Sequence, residues 1–354
     1  MSEGEALSLS VGIIGAGLIG CKRAHEIVQN RCSRLVAVTD QDNGRARALA
    51  GQFGGEVIGG WQELLGRTDI DAVIVATTHN SLAPIAEAAL RAGKHVLCEK
   101  PLAMTVEQAQ RLVRAAAENG KKLKTGFNHR HHPAVWRARE VFGEGQIGRL
   151  MFLRGRYGHG GRLGYDKEWR ADPAMSGGGE LIDQAIHLLD LYRWFAGEFE
   201  DMYAVLPTAF WKMPVEDNVF CTMRGSGGVV ATLHASWTQW KNLFSFEIFG
   251  DTGYLIVDGL GGSYGRERLV IGKRPPQFGV PREEVTEFPP GDVSWAREWQ
   301  EFVCAIRENR RCLADGSDGL QALRLVAAAY QSARQGVAVS LRPSGEAEQS
   351  ELSH

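Results

Sequence analysis

No apolar run in this 354-residue chain approaches the roughly 18 residues that a membrane span needs. Residues 1–8 also lack the basic start and apolar core of a signal peptide. Charge of one sign is missing too: 40 basic against 42 acidic side chains leave a net −2, which removes the electrostatic case for nucleic acid or an anionic membrane. Cysteine is sparse. Cys21, Cys32, Cys98, Cys221, Cys304 and Cys312 form no C-x-x-C pair and no metal-ligand spacing, so neither a disulfide framework nor a zinc site is expected, and the six read as reduced thiols, mostly buried. These absences point to a cytoplasmic globular protein, and the length suits two domains better than one.

What is present begins with Val11 to Gly20, an apolar run that breaks into a glycine pattern and reads on as a helix. Gly15 permits a tight turn, Gly17 lets backbone approach a pyrophosphate, and Gly20 lets the new helix sit close on its strand. Free N–H groups at the helix start, around Leu18 and Ile19, suit phosphates. The context supports this reading: a strand over 7–14, a helix over 18–28, and a second strand over 34–39 that ends at Asp40, about twenty residues on, where a ribose-binding acid belongs. A carboxylate at Asp40 favours NAD and repels the 2′-phosphate of NADP, although Arg45 and Arg47 follow closely.

Short apolar strands then alternate with helices, the pattern of a parallel sheet covered on both faces. Ala72 to Ala76 reads as a buried strand with Thr77, Thr78 and Asn80 at its carboxyl end, where ligands bind in open α/β sheets. His95 to Cys98 is the next strand and runs into Glu99, Lys100 and Pro101, and Thr105 to Gln108 resembles a capping box. A strand over 122–127 closes this region. Past Asn128 the pattern changes to a strand over 149–157, a charged loop over 158–176, a helix over 180–195, five further strands between 218 and 272, and helices over 295–308 and 318–335. The expected division is a dinucleotide-binding α/β domain over 1–128, an α+β domain with a mostly antiparallel sheet over 129–342, and a disordered tail over 343–354.

Three stretches carry a resemblance: Gly12 to Gly20, Ala92 to Pro101, and Gly177 to His187. With them the chain resembles the Gfo/Idh/MocA oxidoreductases, typified by glucose–fructose oxidoreductase and myo-inositol dehydrogenase, from Val11 to about Leu341. The resemblance implies an N-terminal Rossmann domain holding a pyridine nucleotide through Gly15, Gly17, Leu18, Ile19, Asp40, Thr77, Thr78, Asn80, Glu99 and Lys100. It implies an open-faced C-terminal sheet for a carbohydrate, a homodimer or homotetramer, and catalytic roles for Lys100, Asp183 and His187. Oxidising a secondary alcohol by hydride transfer requires a base within reach of the hydroxyl proton, and histidine suits that task near neutral pH. Asp183 and His187, spaced i, i+4 on a helix, share a face. Lys100 offers a cation for the developing alkoxide, or a proton relay if burial lowers its pKa.

The run Asn128 to Pro133 contains His129, His131 and His132 but matches a family loop carrying an arginine, so Asn128 and Arg130 are read as substrate residues and no metal is expected. Arg156, Tyr165, Trp169 and Arg170 join them, as rings to stack and cations to meet phosphate. The loop resembles family members of nucleotide-sugar and lipopolysaccharide pathways, which implies oxidation at C3 of a UDP-sugar such as UDP-N-acetylglucosamine. A free sugar or inositol dehydrogenase is the alternative, and a nucleotide-binding sensor without chemistry a further one.

Overall fold

The computed structural model describes residues 8–342, and the tail expected over 343–354 lies outside them. The chain forms two compact units. The first comprises residues 8–131 with 174–177 and 293–323, and the second comprises 132–173, 178–292 and 324–342. Among the described residues no helix is long and apolar enough to cross a membrane.

In the first unit, strands β1 (Leu9–Ile14), β2 (Ser33–Thr39), β3 (Glu56–Val57), β4 (Ala72–Val75), β5 (His95–Cys98) and β6 (Leu123–Thr125) form one sheet in the order β3-β2-β1-β4-β5-β6, every pair parallel. The order reverses between β1 and β4, which opens a crevice at the carboxyl ends of those strands. Helices α1 (Leu18–Gln29), α2 (Asn43–Phe53), α3 (Trp61–Gly66), α4 (His79–Arg91) and α5 (Val106–Glu118) follow the strands. Two are capped by side chains: Asp42 accepts from the N–H of Gly44 and Arg45 at α2, and Thr105 accepts from Gln108 N–H at α5. The α5 box closes one residue early, because Gln108 Oε1 accepts from Met104 N–H at 3.0 Å.

One expected boundary is corrected here. The division at 128 assigns everything after it to the second domain, yet helix α9 (Ser294–Arg307) clusters with the first unit. Trp299, Phe302 and Val303 lie in the same buried core as Val11, Ile13, Ile27 and Leu97, and Trp299 Nε1 donates to Ser33 Oγ at 2.9 Å. An amphipathic helix declares in sequence that it covers something, not what it covers.

His95 makes the acid stability of this unit predictable. Its Nδ1 accepts from Lys122 N–H at 3.0 Å, and burial, then Lys121 and Lys122, push its pKa from the ordinary 6.5 down to about 4. The unfolded chain therefore takes up a proton near pH 6.5 that the folded chain refuses until about pH 4. This contribution is full above pH 6.5 and is lost as pH falls through that window. Urea unfolding is expected to show lower stability at pH 5 than at pH 7, with His95→Gln narrowing the difference.

The second unit is built on a nine-stranded sheet. Strands β7 (Leu150–Gly158), β8 (Phe199–Val205), β9 (Asn218–Gly225), β10 (Val230–Ser236), β11 (Leu243–Gly250), β12 (Gly253–Asp258), β13 (Arg268–Lys273), β14 (Arg282–Glu287) and β15 (Val339–Ser340) stand in the order β14-β13-β12-β11-β7-β10-β9-β8-β15. Only β7 and β10 pair in parallel. Helix α6 (Pro133–Gly143) precedes β7. The long loop after β7 contains tight turns at Tyr165–Lys167 and Trp169–Ala171 and ends in the short helix α7 (Pro173–Ser176). The helix read over 180–195 is two pieces, a π-helical turn over Leu181–Ala185 and α8 (Ile186–Ala196); α10 (Gly316–Gln335) follows α9. Along β7 the pleat sends Leu153, Gly155 and Tyr157 toward α8, so close that a Cβ on Gly155 would meet Tyr192 Oη at 2.6 Å and Leu188 at 3.0 Å. The opposite face carries Phe152, Phe249 and Tyr254 as a stack with centroids 4.6 and 5.0 Å apart.

Candidate active site

In the first unit the glycine turn has the shape the sequence implies. Gly15 has φ +103°, and a Cβ there would strike Ala76 O; a Cβ on Gly20 would strike Gly15 O. Gly17 differs, since a Cβ there would meet nothing within 4 Å. It is the N-cap of α1, whose first turn has no side-chain cap and no acidic residue, so the helix start keeps its donors for an anion. Asp40 Oδ2 accepts from Ala16 N–H at 2.6 Å and Oδ1 from Asp42 N–H at 2.8 Å, which sets the carboxylate beside the turn. Thr78 is the extended N-cap of α4, and its hydroxyl donates to Asn80 Oδ1 at 2.8 Å. These residues fit a dinucleotide: the open space at Gly17 and the uncapped helix suit its pyrophosphate, and Asp40 suits its ribose. Gly17→Ala is accordingly expected to leave the thermal midpoint within about 2 °C while weakening NAD binding at least tenfold by calorimetry.

Lys100 follows β5, and its peptide bond to Pro101 is cis. Beside it, the Glu99 side chain is tied into the interior of the first unit. Its carboxylate accepts from Arg23 Nε at 2.7 Å, and Arg23 Nη1 donates to Glu298 Oε2 at 2.6 Å, with the guanidinium fully buried. Burial alone would lower the Arg23 pKa, but Glu298 and Glu99 outweigh it and hold the charge. The strand end bearing Lys100 is thus tied to α1 and α9 by a charged knot inside the first unit.

In the second unit, Asp183 lies in the π turn and His187 in the first turn of α8. A π turn winds more residues per turn than an α-helix, so positions four apart still come round to nearly the same side. Asp183 Oδ2 accepts from Arg170 Nε at 3.1 Å, and the Tyr157 ring stands edge-on to His187 with centroids 6.4 Å apart. Burial, then Tyr264, push the Tyr157 hydroxyl well above its ordinary range, so it stays protonated. The start of this helix is pinned by Glu216, a residue the sequence reading does not single out. Glu216 Oε1 accepts from the N–H of Gly179 and Leu181, each at 3.0 Å, and from Tyr330 Oη at 2.8 Å. A Cβ on Gly179 would strike Glu216 O and one on Gly178 the Tyr330 hydroxyl, which explains the glycines ahead of the helix. Burial pushes the Glu216 carboxyl up, against the pull of these donors.

The candidate substrate residues divide. Arg170 is brought to Asp183, with its guanidinium 4.4 Å from the Trp169 ring. Tyr165 is buried among Trp211, Trp237 and His159, so its ring supports the loop and offers no stacking face. Arg156 is contradicted: by the β alternation it lies on the sheet face opposite Tyr157 and His187. Asn128 and Arg130 are buried in the first unit, where Asn128 Nδ2 donates to Ser294 Oγ at 2.8 Å and Arg130 pairs with Asp318 at 3.3 Å. Of the neighbouring histidines, His129 Nδ1 lies 3.2 Å from Asn128 Oδ1, His131 Nε2 lies 3.5 Å from Lys124 Nζ, and in the second unit His132 Nδ1 lies 3.0 Å from Glu267.

A doubly wound parallel sheet with an uncapped glycine turn defines the first unit as a dinucleotide-binding domain. The family model described as "Oxidoreductase family, NAD-binding Rossmann fold" matches residues 9–127, and "GFO/IDH/MocA C-terminal domain" matches 135–256. The 1,5-anhydro-D-fructose reductase of Ensifer adhaerens is 34% identical over 69% of this chain and 74% of that protein. The inositol 2-dehydrogenase of Rhizobium meliloti is 27% identical over 92% of this chain and 97% of its own length. Among solved structures, a levoglucosan dehydrogenase in complex with NADH superposes with a TM-score of 0.86 at 26% identity, covering 95% of this chain and 99% of that one. The chain belongs to the Gfo/Idh/MocA oxidoreductase family, and its cofactor is NAD.

Proposed function

We propose that the protein oxidises a secondary hydroxyl of a sugar or cyclitol that carries no nucleotide, with NAD as acceptor. The observation that carries this reading is the pairing of the loop's two arginines. Arg170 is held by Asp183, Arg162 pairs with Glu168 at 2.7 Å, and Arg156 faces away, so the arginines that would meet a UDP pyrophosphate are already neutralised or misplaced. Two of the relatives, a reductase of an anhydro sugar and a dehydrogenase of inositol, carry names of the same class.

In this reading His187 takes the hydroxyl proton as general base, Asp183 orients substrate and imidazole, and Lys100 stabilises the developing alkoxide. NAD, when bound, supplies the hydride acceptor. The uncapped start of α1 and Asp40 hold it, and the Glu216 knot keeps Asp183 and His187 in register on their turn. The exposed side chains Tyr203, Val205, Phe220 and Val230 on the uncovered sheet face support the expected homodimer or homotetramer, which light scattering after gel filtration tests.

The test of substrate class is NADH formation with a panel of free sugars, cyclitols, and UDP- and dTDP-sugars. Turnover with free sugars or cyclitols is expected. Turnover confined to nucleotide sugars would overturn the reading and restore the UDP-sugar expectation.

A further inference from the structure

We propose that Phe210 and Trp240 form a stacking platform for a second pyranose ring, so that the preferred substrate is a disaccharide or glycoside. This rests on the sugar-dehydrogenase reading above and specifies the substrate further.

Phe210 is 57% and Trp240 66% exposed, yet their rings meet edge to face with centroids 4.8 Å apart. The backbone that carries them is tied down. The buried Asp217 carboxylate accepts from the N–H groups of Ala209 at 2.7 Å and of Phe210 and Trp211 at 2.8 Å, and from Asn218 Nδ2 at 2.9 Å. Those donors hold its pKa down against burial. Trp211 Nε1 donates to Trp237 O at 3.0 Å, and its ring packs on Tyr165 with centroids 5.7 Å apart. Trp240 has φ +45°, a conformation that a bulky side chain adopts only when its surroundings impose it, and it backs onto Gly160, where a Cβ would lie 3.2 Å from Trp240 Cα. The backbone beneath two largely exposed rings is therefore held in place, so a ligand ring landing on them finds a surface whose base is already ordered.

The same frame holds the chemistry. Asp217 fixes the platform turn, and its neighbour Glu216 pins the turn that carries Asp183 and starts the helix of His187. Tyr165, which Trp211 packs on, belongs to the loop whose Arg170 reaches Asp183. Two rings expose far less than the roughly 800 Å² per partner of a protein interface, so the fit is to a small ring. A pyranose supplies that partner, with a C–H face for the aromatic surface and hydroxyls for water at the rim.

The experiment compares kcat/KM for glucose with that for maltose, cellobiose and trehalose in the parent, Trp240→Ala and Phe210→Ala proteins. Intrinsic tryptophan fluorescence is titrated with cellobiose and with glucose on the NAD-bound proteins alongside. The parent is expected to favour one of the disaccharides, and each variant to lower the disaccharide-to-glucose ratio about tenfold through KM. The cellobiose titration is expected to vanish in Trp240→Ala. A parent preference for glucose, or a ratio unmoved by both variants, would overturn the proposal, as would a change of oligomer mass with the ratio unmoved, since the rings would then be an interface contact. If no sugar of any kind yields NADH, the dehydrogenase reading itself fails, and the fluorescence titration decides the platform by itself.

Discussion

Replacing His187 by asparagine is expected to lower kcat for sugar oxidation by roughly 10²- to 10⁴-fold, the usual worth of a positioned base, with a much smaller effect on KM. The physical reason is narrow. Hydride departure leaves positive character on the carbinol carbon, relieved only if the hydroxyl proton leaves with it, and His187 is the imidazole one turn from Asp183 on the pinned helix. Asparagine keeps a polar side chain of similar reach on the turn but cannot accept and release the proton. The pH profile separates the two candidates for base. If His187 is the base, the limb of the kcat profile that reports its ionisation disappears in His187→Asn and survives in Lys100→Met, which loses rate at every pH. The opposite pattern would exchange the roles of the two residues.

Replacing Arg23 by methionine is expected to cost about 3–5 kcal/mol of stability, read as a lowered midpoint in urea unfolding. The guanidinium is wholly buried between Glu99 and Glu298, and its removal leaves two carboxylates in a low-dielectric interior with their partner gone. Burial already pushes Glu298 upward, with Arg23 as the strongest pull in the other direction. Adding Glu298→Gln to the methionine variant is expected to recover part of the loss, because one orphaned charge goes with it. A loss under 1 kcal/mol would show that water reaches the knot on mutation. Because Glu99 precedes Lys100, the variant also tests whether the strand end needs this anchor for catalysis.

Short-range rules make much of the fold legible in the amino-acid sequence. The strands of the first sheet declare themselves because burial on both faces demands unbroken apolar runs such as Ala72 to Val75. Gly15 and Gly17 belong to one turn, and Asp40 joins them from 24 positions on because the adjacent parallel strands β1 and β2 end side by side, so their grouping follows from a strand–helix–strand spacing. Strand β14, Arg282–Glu287, leaves no such sign, because an exposed edge strand has no buried face to impose alternation and is polar for that reason. Strand β8 is hidden because Glu200 and Asp201 interrupt its alternation near a register shift. The π turn reads as plain helix, since one extra residue per turn leaves no mark on an apolar pattern. Long-range pairings are the least legible. Arg23 with Glu298 spans 275 positions and Glu216 with Tyr330 spans 114, and in sequence each is only a charge on a helix or a lone acid near a strand. Arg156 misleads because a cation near the right loop says nothing about which face of the sheet it occupies, a matter settled by the parity of one residue.

In the proposed reaction a carbon-bound hydrogen of a free sugar or cyclitol passes to NAD. The most direct measurement incubates the protein and NAD with carbon-deuterated glucose and myo-inositol, beside deuterated UDP-glucose, and follows NADH by mass spectrometry. NADH one mass unit heavier is expected from a free sugar or cyclitol, and none from the His187→Asn protein on the same timescale. Deuterated NADH arising from UDP-glucose alone would contradict the proposed reaction.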